Sequence, residues 1–294
     1  MDWLFTPIAP HALEQLEAWI GDTFFVLAFA FLAVELLVYA LRRRFSGALA
    51  ADVVTNYLTL GAFMVITYVA LGGVYLTGFV ALEPLGWLDI PVNAATVVIC
   101  VVLADLAYYW EHRFAHRVGL AWATHSVHHS SPFFNISVAY RFGPLDGLLP
   151  FAFHAPLVLL GFDPVVVFFS EMFVQVVQTA LHTELIRRLP APIEAIFNTP
   201  SHHRVHHGSN RAYLDTNYGG IFIVWDRLFG TFAPEEEPVV YGLTKPLEAG
   251  NPVWAFLHGY VRLARRALAM PRLRDGVRAL FSAPGWAPTP TQES

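Results

Sequence analysis

Residues 24–41, FFVLAFAFLAVELLVYAL, carry one charge and are stopped by Arg42, Arg43 and Arg44. In hydrocarbon a backbone amide has no water to bond. An apolar run of about 20 residues therefore has to be a helix, with every amide paired inside it. The first such segment covers about 23–41, and further ones follow at about 58–82, 90–110, 145–160 and 164–186. Gly161-Phe162-Asp163-Pro164 is all that separates the last two. That turn signal predicts a tight helical hairpin, with the fourth segment short enough to be re-entrant. Composition agrees: of 294 residues only 14% are charged, against about 25% in soluble domains. The expectation is an all-α integral membrane bundle of about four to five spans, folded as one domain over 1–294.

The arginine cluster after the first segment places that end on the cytoplasmic side. The loop at 83–90 has no Lys or Arg and falls outside. Counting spans then returns His112 and His182 to the cytoplasmic face. The localisation implied is a multi-pass protein of a bacterial inner membrane, or of the endoplasmic reticulum in a eukaryote. No basic region or small-residue cleavage site precedes the first segment, so it reads as a retained helix and not a signal peptide. Residues 251–271, with Arg262, Arg265 and Arg266 among apolar residues, read as an amphipathic helix on the anionic leaflet. The Pro/Thr-rich tail at 287–294 reads as flexible.

Histidine is the unusual abundance. Of 13, eleven lie between 112 and 207. HRFAH places His112 and His116 at i, i+4, on one helical face. HSVHH supplies His125, His128 and His129; HTE supplies His182; HRVHH supplies His203, His206 and His207. In an HxxHH turn the first and third histidines share a face and the second sits about 100° round, so one motif can touch two neighbouring metals. Nine imidazoles exceed the four ligands of one tetrahedral zinc. Two six-coordinate metals would use nine and leave positions for oxygen or water. Imidazole alone does not choose between iron, zinc and copper. His202 is at i, i+4 from His206, but the HxxHH pattern favours His203. The isolated His11, His154 and His258 read as structural.

Polar stripes run along two spans. Glu171, Gln175, Gln178 and His182 follow helical spacing on the fifth, and Asp105, Tyr108 or Tyr109, His112 and His116 on the third. Such groups are costly in lipid and face an interior site. Ligating histidines give their second nitrogen to a carboxylate or carbonyl. Asp215 leads the acids that can take that role, with Arg141 as its partner, followed by Glu171 and Asp105; Asn135, Asn217 and Tyr218 flank the motifs. WDRLF, residues 225–229, reads as an aromatic segment docking the histidine region onto the membrane. Cys100 lies in an apolar run and reads as a core residue.

HRFAH, HSVHHSSPFFNISVAYR, QTALHTELI, FNTPSHHRVHHGSN, YLDTNYGGIFIVWDRLFGTF and VYGL together resemble the fatty acid hydroxylase / sterol desaturase superfamily of integral-membrane di-iron enzymes. Within it they are most similar to the alkylglycerol monooxygenase-like and bacterial sterol desaturase-like branch. The resemblance covers about 90–247, which makes that the catalytic region. It implies that His112, His116, His125, His128, His129, His203, His206 and His207 ligate two iron ions, and that His182 corresponds to a further histidine often found in these sequences. It also implies oxygen-dependent hydroxylation, desaturation or ether cleavage of a lipid. Alkylglycerol monooxygenases proper are longer, with extra spans.

A lipid substrate would then enter from the bilayer, and O2 would be the co-substrate. The sequence holds no dinucleotide fingerprint, cysteine cluster or haem domain, so electrons come from a separate cytochrome, ferredoxin or reduced pterin. The net charge of −5 shows no basic stripe and excludes a nucleic-acid partner. Two other readings are a bis-histidine haem electron carrier, which leaves the HxxHH crowding unexplained, and a histidine-rich metal transporter or sensor, which predicts ligands strung along a crossing path.

Overall fold

The computed structural model describes residues 2–71, 74–247 and 250–288. Among them there is no β-strand, only the isolated bridges Pro7–Asn93, Phe197–Phe222 and Gly208–Tyr241. Three helices are long and apolar enough to cross a membrane: Pro10–Leu41, Gly47–Val69 and Ala94–Arg117. Two apolar helices, Asp146–Leu160 and Pro164–Thr179, are shorter.

Helix α1 (Pro10–Leu41) begins well before the apolar run, with Pro10 in its first turn, where a missing N–H costs nothing. Helix α2 (Gly47–Ile66) also begins earlier than hydropathy indicates, because Ser46 Oγ accepts the Leu49 N–H at 3.1 Å. It passes through a wide π turn at Thr67–Leu71 before α3 (Val74–Leu82). The expected segment at 58–82 is thus the end of one helix and the start of another, and its residues 72–73 lie outside the described set. Helix α4 (Ala94–Arg117) opens with a reciprocal cap: Asn93 Oδ1 accepts from Thr96 N at 3.0 Å and Thr96 Oγ1 from Asn93 N at 3.1 Å, which satisfies two of the helix's orphan donors.

Helix α5 (Gly119–His125) follows directly. The hairpin is α6 (Leu149–Leu160) and α7 (Pro164–Thr179). Gly161 ends α6 at φ 116°, a left-handed conformation that glycine reaches at no cost. Asp163 Oδ1 accepts from Val165 N at 2.7 Å to start α7. The expected span at 164–186 ends early, at Thr179, because the chain turns there to send Thr183 to α1.

Helix α4 is central and packs against α6 and α7, while α1 packs against α7. Cys100, Ala104 and Tyr108 of α4 meet Val166, Val167 and Val174 of α7 and Leu157 and Val158 of α6 in the main core. Cys100 is fully buried there.

Short helices α8 (Ala191–Ile196), α9 (Pro200–His206) and α10 (Val224–Phe229) build the segment after the hairpin. Helices α11 (Pro252–Leu268) and α12 (Leu273–Phe281) close the chain. The expected amphipathic helix is α11, but its apolar face covers protein. It packs against α5 and α2, burying Phe256, His258 and Leu263. A Cβ at Gly259 would collide with the carbonyl of Ala123, so glycine sets the closeness of that crossing.

Polar groups on α1 and α2 lock the spans to the histidine-bearing loops. Glu35 accepts from Ile136 N at 2.8 Å and from Thr183 Oγ1 at 2.6 Å. Arg141 Nη1 donates to Asp52 Oδ1 and Asn56 Oδ1, both at 2.8 Å, and its Nε donates to Val127 O and Ser130 Oγ. Ser131 donates to the other Asp52 oxygen at 2.6 Å. All these side chains are buried, and each is satisfied, as buried charge requires.

Candidate metal centre

Three helices, α4, α5 and α9, with the turn after α5 and the loop after α7, bring nine histidines into two adjacent groups. His112 and His116 on α4, His125 and His129 around the end of α5, and His206 on α9 form one; His128, His182, His203 and His207 form the other. Within each group one nitrogen per ring lies within 4.8 Å of the rest. Both HxxHH motifs are split between the groups. His125 and His129 face the first and His128 the second; His203 and His207 face the second and His206 the first. The i, i+4 pair stays together and the middle residue turns away, as helical geometry dictates.

The ring nitrogens converge on one another. His112 Nδ1 donates to Tyr218 O and His206 Nδ1 to Thr216 O, each at 2.9 Å, and His182 Nδ1 donates to Gln178 O at 3.1 Å. A neutral imidazole has one N–H, so the Nε2 of each ring is left as an acceptor. Those Nε2 atoms face other imidazoles: His112 to His125 at 3.1 Å, His206 to His129 at 3.1 Å, and His182 to His128 at 3.2 Å and His203 at 3.0 Å. Nε2 of His116 and of His207 is buried with no partner. Buried acceptors without donors cost about 1–3 kcal/mol each, and a cation in each group would satisfy them together. The donor set suits iron, zinc or copper.

Protonation does not resolve the crowding. Burial pushes His125 and His182 down to about 3 and His206 down to about 4, with nearby His206 adding to the effect at His125. All three are neutral at pH 7, the form a metal needs.

The carbonyls that orient the rings are themselves held. Asp226, fully buried, accepts from Tyr218 N at 2.7 Å, Gly219 N at 2.8 Å and Thr231 Oγ1 at 2.7 Å. Asp105 on α4 accepts from Ile221 N, Phe222 N and Trp225 Nε1 at 2.6, 3.0 and 2.8 Å. A Cβ on Gly220 would sit 2.5 Å from Asp105 Oδ1. Asn217, at φ 57°, donates to His202 O and Ala233 O. Within WDRLF, Trp225 and the buried Asp226 thus anchor the loop behind His112, while Arg227 and Leu228 stay exposed.

Several expected contacts are absent or different. Arg141 pairs with Asp52 and not with Asp215, because it points back between α2 and the 127–130 turn. Asp215 lies 3.6 Å from His116 Nδ1 and 3.7 Å from Arg117, an ion-pair distance and not a hydrogen bond. Asp105 touches no histidine; its two oxygens are used by the 221–225 segment. Glu171 lines a cavity. Tyr218 contributes its carbonyl. His202 belongs to neither group and lies 3.5 Å from Glu194. His154 and His258 bond neighbouring backbone carbonyls at 2.9 and 2.8 Å. Glu35, Asp52 and Asn56 went unremarked in the sequence, although an acid inside an apolar span is itself a signal.

Beside the histidines lies a cavity of about 1010 Å³. His112, His125, His128 and His182 form part of its wall, and it extends between α1, α2, α6 and α7 past Phe24, Leu60, Phe63, Phe151 and Phe169. Its volume exceeds the 300–1,000 Å³ of most small-ligand sites.

Bilayer-length helices, nine histidines in two groups and a large, mostly apolar cavity against them define a class: helical proteins with paired histidine clusters beside a cavity. Residues 97–231 match the fatty acid hydroxylase family model, and the chain is similar to lipid hydroxylases and oxidases of the fatty acid hydroxylase / sterol desaturase superfamily. It is 42% identical over 205 residues to an alkylglycerol monooxygenase of Danio rerio, covering 69% of this chain and 45% of that protein. It is 43% identical over 184 residues to the Homo sapiens alkylglycerol monooxygenase, covering 63% and 41%. An ornithine lipid hydroxylase of Rhizobium tropici is 32% identical over 167 residues, covering 56% and 50%. The chain thus spans half or less of the length of these relatives. No solved structure matches it significantly.

Proposed function

We propose that this chain is a membrane-bound di-iron oxygenase that hydroxylates, or desaturates, an unactivated C–H bond of a lipid such as a sterol, fatty acyl chain or ether lipid. The observation that carries this reading is the convergence of nine imidazoles in two groups, four of which, His112, His125, His128 and His182, line a large and mostly apolar cavity. Relatives named alkylglycerol monooxygenase and ornithine lipid hydroxylase support it.

His112, His116, His125, His129 and His206 would hold one iron, and His128, His182, His203 and His207 the other. Bound iron supplies O2 activation with electrons from a separate donor, a cytochrome, ferredoxin or reduced pterin. The chain's own contribution is positional. The carbonyls of Tyr218, Thr216 and Gln178 fix three ring tautomers and orientations. Phe134 stacks on His182 and on Tyr241, closing one side of the second group against water. The aromatic cavity wall orients an alkyl chain so that one carbon faces the histidines and excludes solvent from the reactive site. Entry is lateral, from the bilayer, and the histidine face is cytoplasmic, on the side of Arg42–Arg44.

The test is oxygen uptake by purified protein loaded with ferrous iron and given reductant and membrane lipid, with mass spectrometry of the lipid. The expected result is a product that has gained one oxygen or lost two hydrogens, abolished by His206→Ala. Activity that survives His206→Ala would overturn the site. A strong Soret band in the purified protein would overturn the di-iron reading in favour of haem.

A further inference from the structure

The charge of the cavity wall is one-sided. Glu14, Glu17 and Asp22 of α1 line one part of it, and Glu111, Asp146 and Glu171 line another. Among the described lining residues there is no Lys or Arg. Glu111 is the residue before His112 on α4 and is 7% exposed. Its Oε2 is buried with no hydrogen-bond partner. His154 Nδ1, 3.7 Å from that oxygen, already donates to Pro150 O at 2.9 Å. Asp146 is half satisfied: Oδ2 accepts from Gly143 N at 2.6 Å, while Oδ1 is buried without a partner.

A buried carboxyl oxygen with no donor is costly, and neighbouring carboxylates add mutual repulsion. No described donor of the protein meets Glu111 Oε2. A ligand that brings N–H or O–H groups into the cavity relieves both, whereas an anionic head would add to the repulsion. We infer that Glu111, supported by Asp146, receives the polar head of the substrate, and that this head is a non-anionic hydrogen-bond donor, a hydroxyl or an ammonium group. Glu111 is then a specificity-determining residue: it selects alcohols and amines over free carboxylates and places the carbons near the head, not the chain terminus, beside His112. This deepens the lipid-oxygenase reading and rests on it for the identity of the cavity as the substrate site.

The experiment is equilibrium displacement of a fluorescent stearyl alcohol from the purified full chain in nanodiscs at neutral pH, without turnover. The competitors are stearyl alcohol, stearyl amine, stearic acid and the corresponding alkane. In the wild type, alcohol and amine should compete about ten-fold better than the acid, the size of one charge-assisted hydrogen bond. Glu111→Leu should erase the advantage of the alcohol over the alkane. Glu111→Gln keeps an acceptor of the same shape, so it should retain the alcohol and weaken the amine about ten-fold.

Equal displacement by acid and alcohol in the wild type overturns the inference, as does an unchanged alcohol-to-alkane ratio in Glu111→Leu. If the leucine variant does not fold, an unchanged amine-to-alcohol ratio in Glu111→Gln overturns it instead. The readout needs neither iron nor reductant. Loss of oxygen uptake with the head-group ranking intact removes only the oxygenase reading, and the converse removes only this one.

Discussion

Arg141→Met tests the latch between the spans and the histidine loops. In the wild type Arg141 and Asp52 are each about 4% exposed at the side chain, 2.8 Å apart, and the guanidinium also serves Asn56, Val127 O and Ser130. Methionine fills much of the volume but leaves Asp52 with Ser131 as its remaining described donor. Removing one partner of a buried pair costs about 3–5 kcal/mol, because the other charge stays buried and uncompensated. Replacing both with apolar residues is often neutral. The double variant Asp52→Leu/Arg141→Met should therefore recover most of the loss, although Asn56 and the Val127 carbonyl remain short of donors. Equilibrium unfolding in mixed micelles measures all three proteins. A single variant within about 1 kcal/mol of wild type, or a double variant less stable than the single, refutes the reasoning.

His203→Asn should release metal, while His202→Asn, which alters a ring turned toward Glu194, should leave the bound metal unchanged; metal-to-protein ratios decide. Acidification from pH 7 to pH 5 should destabilise the metal-free protein. His206 stays neutral in the fold down to about pH 4, so below its unfolded value of about 6.5 the unfolded chain binds the extra proton and stability falls, by about 2 kcal/mol for this group at pH 5. A flat unfolding midpoint over that range would contradict it. Gly220→Ala brings a methyl 2.5 Å from Asp105 Oδ1 and 2.7 Å from Val174; the expected cost is about 1–3 kcal/mol, visible as faster proteolysis of the 215–231 segment.

Hydropathy and spacing carried the helical class, the hairpin at Gly161 and the partition of histidines within each HxxHH turn, since all three follow from local helical geometry. The helix ends did not follow from hydropathy. Ser46 and Pro10 extend α2 and α1 beyond their apolar runs, because a cap and an N-terminal proline set an end that lipophilicity cannot. The partners of Arg141 and Asp105 were misassigned for a different reason. Both bond to groups more than 80 positions away in the chain, and spacing along one helix carries no information about such pairings.

The division of each HxxHH motif between both groups has a further consequence. Neither group can be emptied by deleting a motif without also opening the wall of the other. Two ions held this way would have no independent containers, and their uptake would be thermodynamically coupled through the α5 and α9 turns. Metal titration of the apo protein should then rise in one steep step, and a stable half-loaded form should be scarce.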